Sequence, residues 1–356
     1  MVPLKPPAAS NSDPNFTRRS VVVVGGGLAG TSAAMALLKN GISVCLLESK
    51  SRLGGRTGSF KCSNLNAGHA ADLTDYCQHV GMGCCTNLLQ LVDWLGHGDC
   101  WDRQRELHFY GPTGTYQRLA AAPLLPAPLH LASWLLKWPG LTWKDRVAIA
   151  QGLFRLNRLE STDEIDSQSA LAWLHNSGQT QRAIELFWST IVVSALGARL
   201  SNVSMAAVCK VLQDGFLRHR QAFHLLVPKL PLDTLFNIQM REALLSLGGE
   251  VQLRTTVRAL CRNHSSGKVD LITDARPFSA DAVVLAVPWH QLRNFGQTRE
   301  LGESIQHAES FACSPITGIH TWWDRPWLLT PHACLVGRTC QWVFPQPSAN
   351  KHHGSV

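Results

Sequence analysis

A chain of 356 residues is long enough for one large or two modest domains with a sizeable core. At 45% hydrophobic and 16% charged residues it is globular and rather apolar. Its net charge of +8 would suit nucleic acid, anionic lipid or simple solubility, but no basic patch is interleaved with stacking aromatics, which argues against nucleic acid.

The 11 cysteines are scattered without C-x-x-C spacing, and Cys84 and Cys85 are merely adjacent. That irregular set suits reduced thiols and a cytoplasmic location. The 15 histidines form no H-x-x-x-H pattern, so no metal site is expected. Residues 1–17 are rich in Pro, Ser and Asn, lack an apolar core and read as a disordered leader. No apolar run approaches the ~18 residues of a spanning helix.

The stretch Arg19 to Arg56 organises the rest. Val21 to Val24 reads as a buried parallel strand. Gly25, Gly27 and Gly30 follow as G-x-G-x-x-G, at the junction with an alanine- and leucine-rich helix from Thr31 to Lys39. The first glycine permits a tight turn, the second lets backbone approach a pyrophosphate, and the third lets helix pack on strand. The helix start, with Leu28 and Ala29, offers N–H groups and a positive dipole end to phosphate. Ile42 to Leu47 is the second strand. Glu48 closes it, in the place of the acid that binds a ribose hydroxyl. Strand, glycines, helix and acid together point to a dinucleotide site. Leu53-Gly54-Gly55-Arg56 then forms a second glycine turn.

Downstream, residues 70–83 read as a glycine-bounded polar loop, and Cys84 to Leu95 as an amphipathic helix. Residues 101–118 suggest a hairpin. Leu124 to Gly140 is apolar and proline-punctuated. Helical patterns follow at Trp143 to Leu159, Asp166 to His175, Thr180 to Ala195 and Ser204 to Arg218, then at Leu232 to Leu247. Val251 to Leu260 and Val269 to Thr273 read as paired strands. Ala282 to Val287 reads as a buried strand. A helix is expected near Leu301 to Phe311, and a patternless tail over residues 346–356.

The E-x-x-x-x-L-G-G-R turn after the acidic strand resembles the flavin amine oxidase and carotenoid desaturase superfamily. There this loop closes over the FAD phosphates. Within it, several stretches resemble the hydroxysqualene dehydroxylase family. They are Asp75-Tyr76-Cys77-Gln78-His79-Val80-Gly81-Met82-Gly83, Pro126 to His130, Phe187-Trp188 with Ala195-Leu196, Ser204 to Ala207, Ala286-Val287-Pro288 and Gln341 to Phe344. Tyr76-Cys77 departs from the family's Asn-Gly pair. The family also continues beyond the last strand with a C-terminal cap, so a truncated end and loose FAD binding are expected.

The resemblance implies an α/β fold: a Rossmann-like FAD-binding domain of the flavin amine oxidase type, with a mixed helical and sheet substrate domain inserted. The expected division is FAD-binding at 18–100 and 226–290, and substrate-binding at 101–225 and 291–345. The cofactor-binding residues are Gly25, Gly27, Leu28, Ala29, Gly30, Glu48, Gly54, Gly55 and Arg56, with Val257 and Pro288 bordering FAD. His79 is the candidate acid, oriented by Asp75 or Gln78; the alternative is that this loop only shapes the flavin wall. Trp188 is a candidate for the substrate tunnel or, equally, a core tryptophan. The implied reaction is reductive dehydroxylation of hydroxysqualene to squalene. A related desaturase or amine oxidase, or an inactive remnant that only binds partners, are the other readings. Expected partners are an apolar isoprenoid, other squalene-pathway enzymes and the inner face of the cytoplasmic membrane. Leu124 to Trp138, with Trp134, Lys137 and Trp138, is the expected docking segment, or else a buried helix.

Overall fold

A computed structural model describes residues 19–61, 73–295, 307–308, 310–323 and 325–345. The expected leader, the Ala70 to Asp72 part of the polar loop, most of the Leu301 to Phe311 helix and the terminal tail lie outside the described residues. The chain divides into two compact units. The first comprises Met1–Cys77, Gln90–Asp99 and Leu230–Cys313, and the second Gln78–Leu89, Cys100–Lys229 and Ser314–Val356.

The first unit is built on a parallel sheet. Its strands run in the order Glu250–Gln252, Ser43–Leu47 (β2), Ser20–Val24 (β1) and Ala282–Leu285. The β-branched run of β1 occupies an inner position and is buried along four residues, Val21 to Val24. Helix α1, Leu28–Lys39, follows β1 and buries Gly30, Thr31, Ala34, Met35 and Leu38. It starts three residues earlier than the apolar pattern suggests, because Gly27 takes the extended N-cap conformation. Ala282–Leu285 is an edge strand and largely half-exposed, not buried as expected. Val24, Leu47, Val257, Leu260, Leu271 and Phe295 form the core on one face.

The expected long strand Val251 to Leu260 is two strands in two sheets. Glu250–Gln252 extends the parallel sheet beside β2, whereas Val257–Arg262 pairs antiparallel with Val269–Thr273, which pairs in turn with Phe278–Ala280. The break falls at Arg254, whose φ of 54° turns the chain out of the first sheet.

The second unit packs helices against two small sheets. One sheet has the order Trp342–Val343, Ala333–Leu335, Glu106–Tyr110, Tyr116–Ala120. The other joins Gly81–Met82, Leu225–Pro228 and Trp101–Gln104. The Trp143–Leu156 helix opens on a capping box between Thr142 and Asp145. Asp163–Ser167 and Ala170–Asn176 replace the single helix expected there, each with its own Thr162 or Ser169 cap.

Among the described residues three helices contain π-turns: Ile184–Trp188, Gln213–Leu217 and Thr234–Gln239, the last of them in the first unit. An α-helix points adjacent residues about 100° apart. The wider turn lets neighbours Phe187 and Trp188 both face the core, and likewise Leu235 and Phe236.

Candidate functional site

The candidate nucleotide site is built at the carboxyl ends of β1 and β2. Gly25 leaves β1 with a φ of 109°, and a Cβ there would meet the carbonyl oxygen of Ala286 at 2.5 Å. Only glycine fits. Gly30 is tighter still: its Cβ would stand 1.9 Å from the Gly25 carbonyl oxygen. These two are required by the turn and by the close approach of helix to strand. Gly27 is different. Its φ of −73° suits any residue, and the nearest atom to an added Cβ is the Gly55 Cα at 4.0 Å. Packing of the chain does not demand glycine there. The space it keeps open lies at the start of α1, where helix geometry leaves the first N–H groups without intrahelical acceptors. A diphosphate is the ligand that would use both.

The second glycine turn lies against the first. Gly54 N donates to Gly26 O at 2.8 Å, and Gly27 and Gly54 form a parallel bridge. Gly54 and Gly55 both have positive φ, and a Cβ on Gly55 would meet Gly27 Cα at 3.0 Å. Leu53 plugs the underside and is fully buried.

Glu48 straps this crossing together. Its Oε2 accepts from Gly26 N at 2.6 Å, and its Oε1 accepts from Lys50 N at 2.7 Å and Ser49 Oγ at 3.2 Å. A carboxylate offers about four acceptor positions, so about one is left for a ribose hydroxyl.

Leu28 is half-buried and Ala29 exposed at the first turn of α1. Arg56 is exposed. The guanidinium built into the second turn belongs to Arg52, which sequence reasoning passed over. It donates to Leu53 O and Gly55 O, each at 3.0 Å, and lies 5.3 Å from the Tyr76 ring centroid. Asn237 was also missed: its Oδ1 accepts from Leu53 N at 3.0 Å. The Thr234–Gln239 π-turn that positions it has no periodicity signature. Pro288 is exposed just beyond the edge strand, and Ala286 N donates to Val24 O at 2.8 Å, which brings this segment beside β1. Val257 has its side chain in the core, so its contact with a cofactor would be through backbone.

Asp75 is buried in the first unit, where its Oδ1 accepts from Ser59 Oγ at 2.6 Å and from Leu232 N at 2.9 Å. Those bonds tie the Ser59–Lys61 and Leu73–Asp75 hairpin to the segment ahead of the π-turn, a structural task. Gln78 and His79 belong to the second unit and are half-buried. The Gln78 amide donates to the backbone carbonyl of His79 at 3.4 Å.

Trp188 is a core residue rather than part of an open tunnel wall. Its ring is fully buried, and its Nε1 donates to Gln179 Oε1 at 2.8 Å while Gln179 Nε2 holds Ala148 O at 2.6 Å. Trp134 and Trp138 are also buried, donating to Ala120 O at 3.1 Å and Leu186 O at 3.0 Å, and they are core residues rather than surface anchors.

A family model for flavin-containing amine oxidoreductases matches residues 28–354. The chain belongs to that family. The cofactor is FAD, and the open position at Gly27, the glycine crossing and Glu48 fit its ADP half. The chain is 25% identical over 316 residues to the 15-cis-phytoene desaturase of Arabidopsis thaliana, covering 86% of this chain and 54% of that protein. It is 25% identical over 311 residues to the zeta-carotene desaturase of Capsicum annuum, covering 79% and 52%. The chain thus spans about half the length of these curated relatives. Among solved structures, an engineered putrescine oxidase matches with a TM-score of 0.59 at 19% identity, covering 82% of this chain and 63% of that one. Cyclohexylamine oxidase from Brevibacterium oxydans matches with a TM-score of 0.54 at 20% identity, covering 82% and 63%. These likenesses establish the flavin amine oxidase fold. Among the described residues no helix is long and apolar enough to cross a membrane.

Proposed function

We propose that the protein is an FAD-dependent oxidoreductase of a long isoprenoid chain, and that its reaction is the reductive dehydroxylation of hydroxysqualene to squalene. The observation that supports the substrate is the Asp75 to Gly83 stretch, whose Gln78-His79 pair resembles the hydroxysqualene dehydroxylase branch. Bound and reduced, FAD supplies a hydride. The chain's own residues have three tasks. The glycine crossing and Glu48 hold the ADP half. A water-poor site protects the allylic cation that forms when the hydroxyl leaves. An acid protonates that hydroxyl so that it departs as water, and His79 is our assignment.

Incubating the full chain anaerobically with FAD, dithionite and hydroxysqualene should yield squalene by mass spectrometry. His79→Gln should lower the yield about a hundredfold without loss of bound flavin. No squalene from flavin-loaded protein would defeat the reading. A second reading, favoured by the phytoene and zeta-carotene desaturase relatives, runs the flavin oxidatively on a carotenoid precursor. It predicts desaturated product from phytoene with a quinone acceptor instead. Squalene-pathway enzymes that deliver the substrate or remove the product are the partners this function implies.

A further inference from the structure

We propose that the outer face formed by residues 124–158 docks on an anionic lipid bilayer. This inference rests on the surface of the second unit alone and is independent of the reaction.

The Trp143–Leu156 helix has two apolar faces. The inner one, Ala148, Ile149, Gly152 and Leu156, is buried. The outer one carries Trp143, Val147 and Phe154, which are 72%, 53% and 58% exposed. With Ala150, also exposed, they stand at i, i+4, i+7 and i+11, a single stripe along the helix. Solubility and packing explain the inner face and leave the outer one without a purpose in water.

The stripe continues onto the preceding segment. Leu129 and Leu136 are exposed, and Leu124 is 93% exposed in the loop before them. Arg146 joins the two parts. Its Nε donates to Leu136 O at 3.1 Å and its Nη2 to Trp138 O at 3.1 Å, while its guanidinium lies 5.9 Å from the Trp143 ring centroid. Leu136 and Trp143 therefore flank one side chain.

Charge selects the occupant. Between residues 124 and 158 the cations are Lys137, Lys144, Arg146, Arg155 and Arg158. The one carboxylate in that stretch, Asp145, is buried and bonded to Thr142 and Thr180. Arg158 lies 3.9 Å from the Phe154 ring centroid, so cation and aromatic stand side by side. Exposed tryptophan, phenylalanine and leucine, with Arg146 beside Trp143 and Arg158 beside Phe154, match the boundary between headgroups and acyl chains, where cations with long apolar stems reach the headgroups. A protein partner would be met by a groove or by mixed charge. Here single apolar side chains project from one helix and the segment before it, where every exposed Asp, Glu, Lys or Arg between residues 124 and 158 is basic and the acidic run Glu160, Asp163, Glu164 and Asp166 begins only past Arg158. Each basic residue near an anionic surface adds to the attraction.

The test is flotation of the full chain with vesicles of phosphatidylglycerol and phosphatidylcholine, and with phosphatidylcholine alone. The protein should float with the anionic vesicles, more weakly as salt rises, and far less with the zwitterionic ones. The pair Val147→Glu with Phe154→Glu should cut partitioning about tenfold or more. The triple change Lys144→Ala, Arg155→Ala, Arg158→Ala should cut it about a hundredfold. Ile272→Glu, at an exposed site in the first unit, should change nothing. All changed residues are on the surface, and thermal melts would verify that each variant folds. Wild-type protein that stays in the buffer would overturn the proposal. So would equal flotation of the glutamate pair. Concentration-dependent self-association that the glutamate pair abolishes, without vesicle binding, would show instead a face between copies of the chain.

Discussion

Two buried carboxylates in the first unit do similar work in different surroundings. Glu48 ties the glycine crossing by accepting from Gly26 and Lys50 backbone N–H groups. Asp75 ties the hairpin at Ser59 to Leu232 in the same fashion. From residue type alone, one reads as a ribose ligand and the other as a catalytic partner. Their contacts show that each first satisfies backbone donors that irregular turns leave orphaned. What separates them is the neighbourhood. Beside Glu48 lies Gly27, a glycine that the packing does not need. At Asp75, the hydroxyl, amide and carboxylate close on one another.

The strongest way to break this comparison is within the glycines. Gly30→Ala forces a Cβ onto the Gly25 carbonyl and should cost about 4 kcal/mol or prevent folding. Gly27→Ala should leave the melting temperature within a degree or two of wild type, roughly 0.5 kcal/mol, yet weaken FAD about tenfold by titration. A Gly27→Ala protein that melts early would mean the open position is structural after all.

A neutral ring offers a second test of backbone stapling, now in the other unit. His332 is fully buried; its Nε2 accepts from His108 N at 3.2 Å and its Nδ1 pairs with Gln104 Oε1. An acceptor at Nε2 requires the proton at Nδ1, so the ring is neutral. Burial, helped by His108, pushes its pKa down to about 4 from 6.5. The folded state therefore takes up its proton later than the unfolded chain. Its contribution is fully present above pH 6.5 and is lost as pH falls toward 4, about 3 kcal/mol in all. Urea melts of wild type and His332→Gln across that range should diverge on the acid side. Parallel curves would remove His332 as the cause.

Next in size are the carboxylates themselves. Asp75→Ala and Glu48→Ala should each cost about 2 kcal/mol by leaving buried donors unpaired. Only Glu48→Ala should also weaken binding of ADP, measured by calorimetry. Equal losses of ADP affinity would erase the distinction drawn above. The smallest effect concerns the two arginines: Arg52→Ala should lose about 1 kcal/mol, while Arg56→Ala should leave stability unchanged and reduce FAD affinity alone.

Much of the first unit was legible because its signals are local. Val21 to Val24, the three glycines and Glu48 fall within one strand-turn-helix-strand sequence, and each has a backbone reason visible in the letters. The Val251 to Leu260 stretch was misread because a period-two pattern does not say which sheet a strand joins; the change of sheet is made at Arg254. Trp188 and Trp138 were ambiguous because tryptophan serves cores and surfaces alike. Only the partners at Gln179 and Leu186 decide. Arg52 and Asn237 were missed because their targets are backbone groups, which leave no mark in a sequence.

The π-turns carry a lesson about chain length. Each is bonded from residue i to i+5, so it holds one more residue within the bonded loop than the α-helix around it. Shortening the chain by one position elsewhere in a helix would rotate everything beyond it by about 100°. At Ile184–Trp188, Gln213–Leu217 and Thr234–Gln239 the same loss would merely tighten the coil to ordinary pitch.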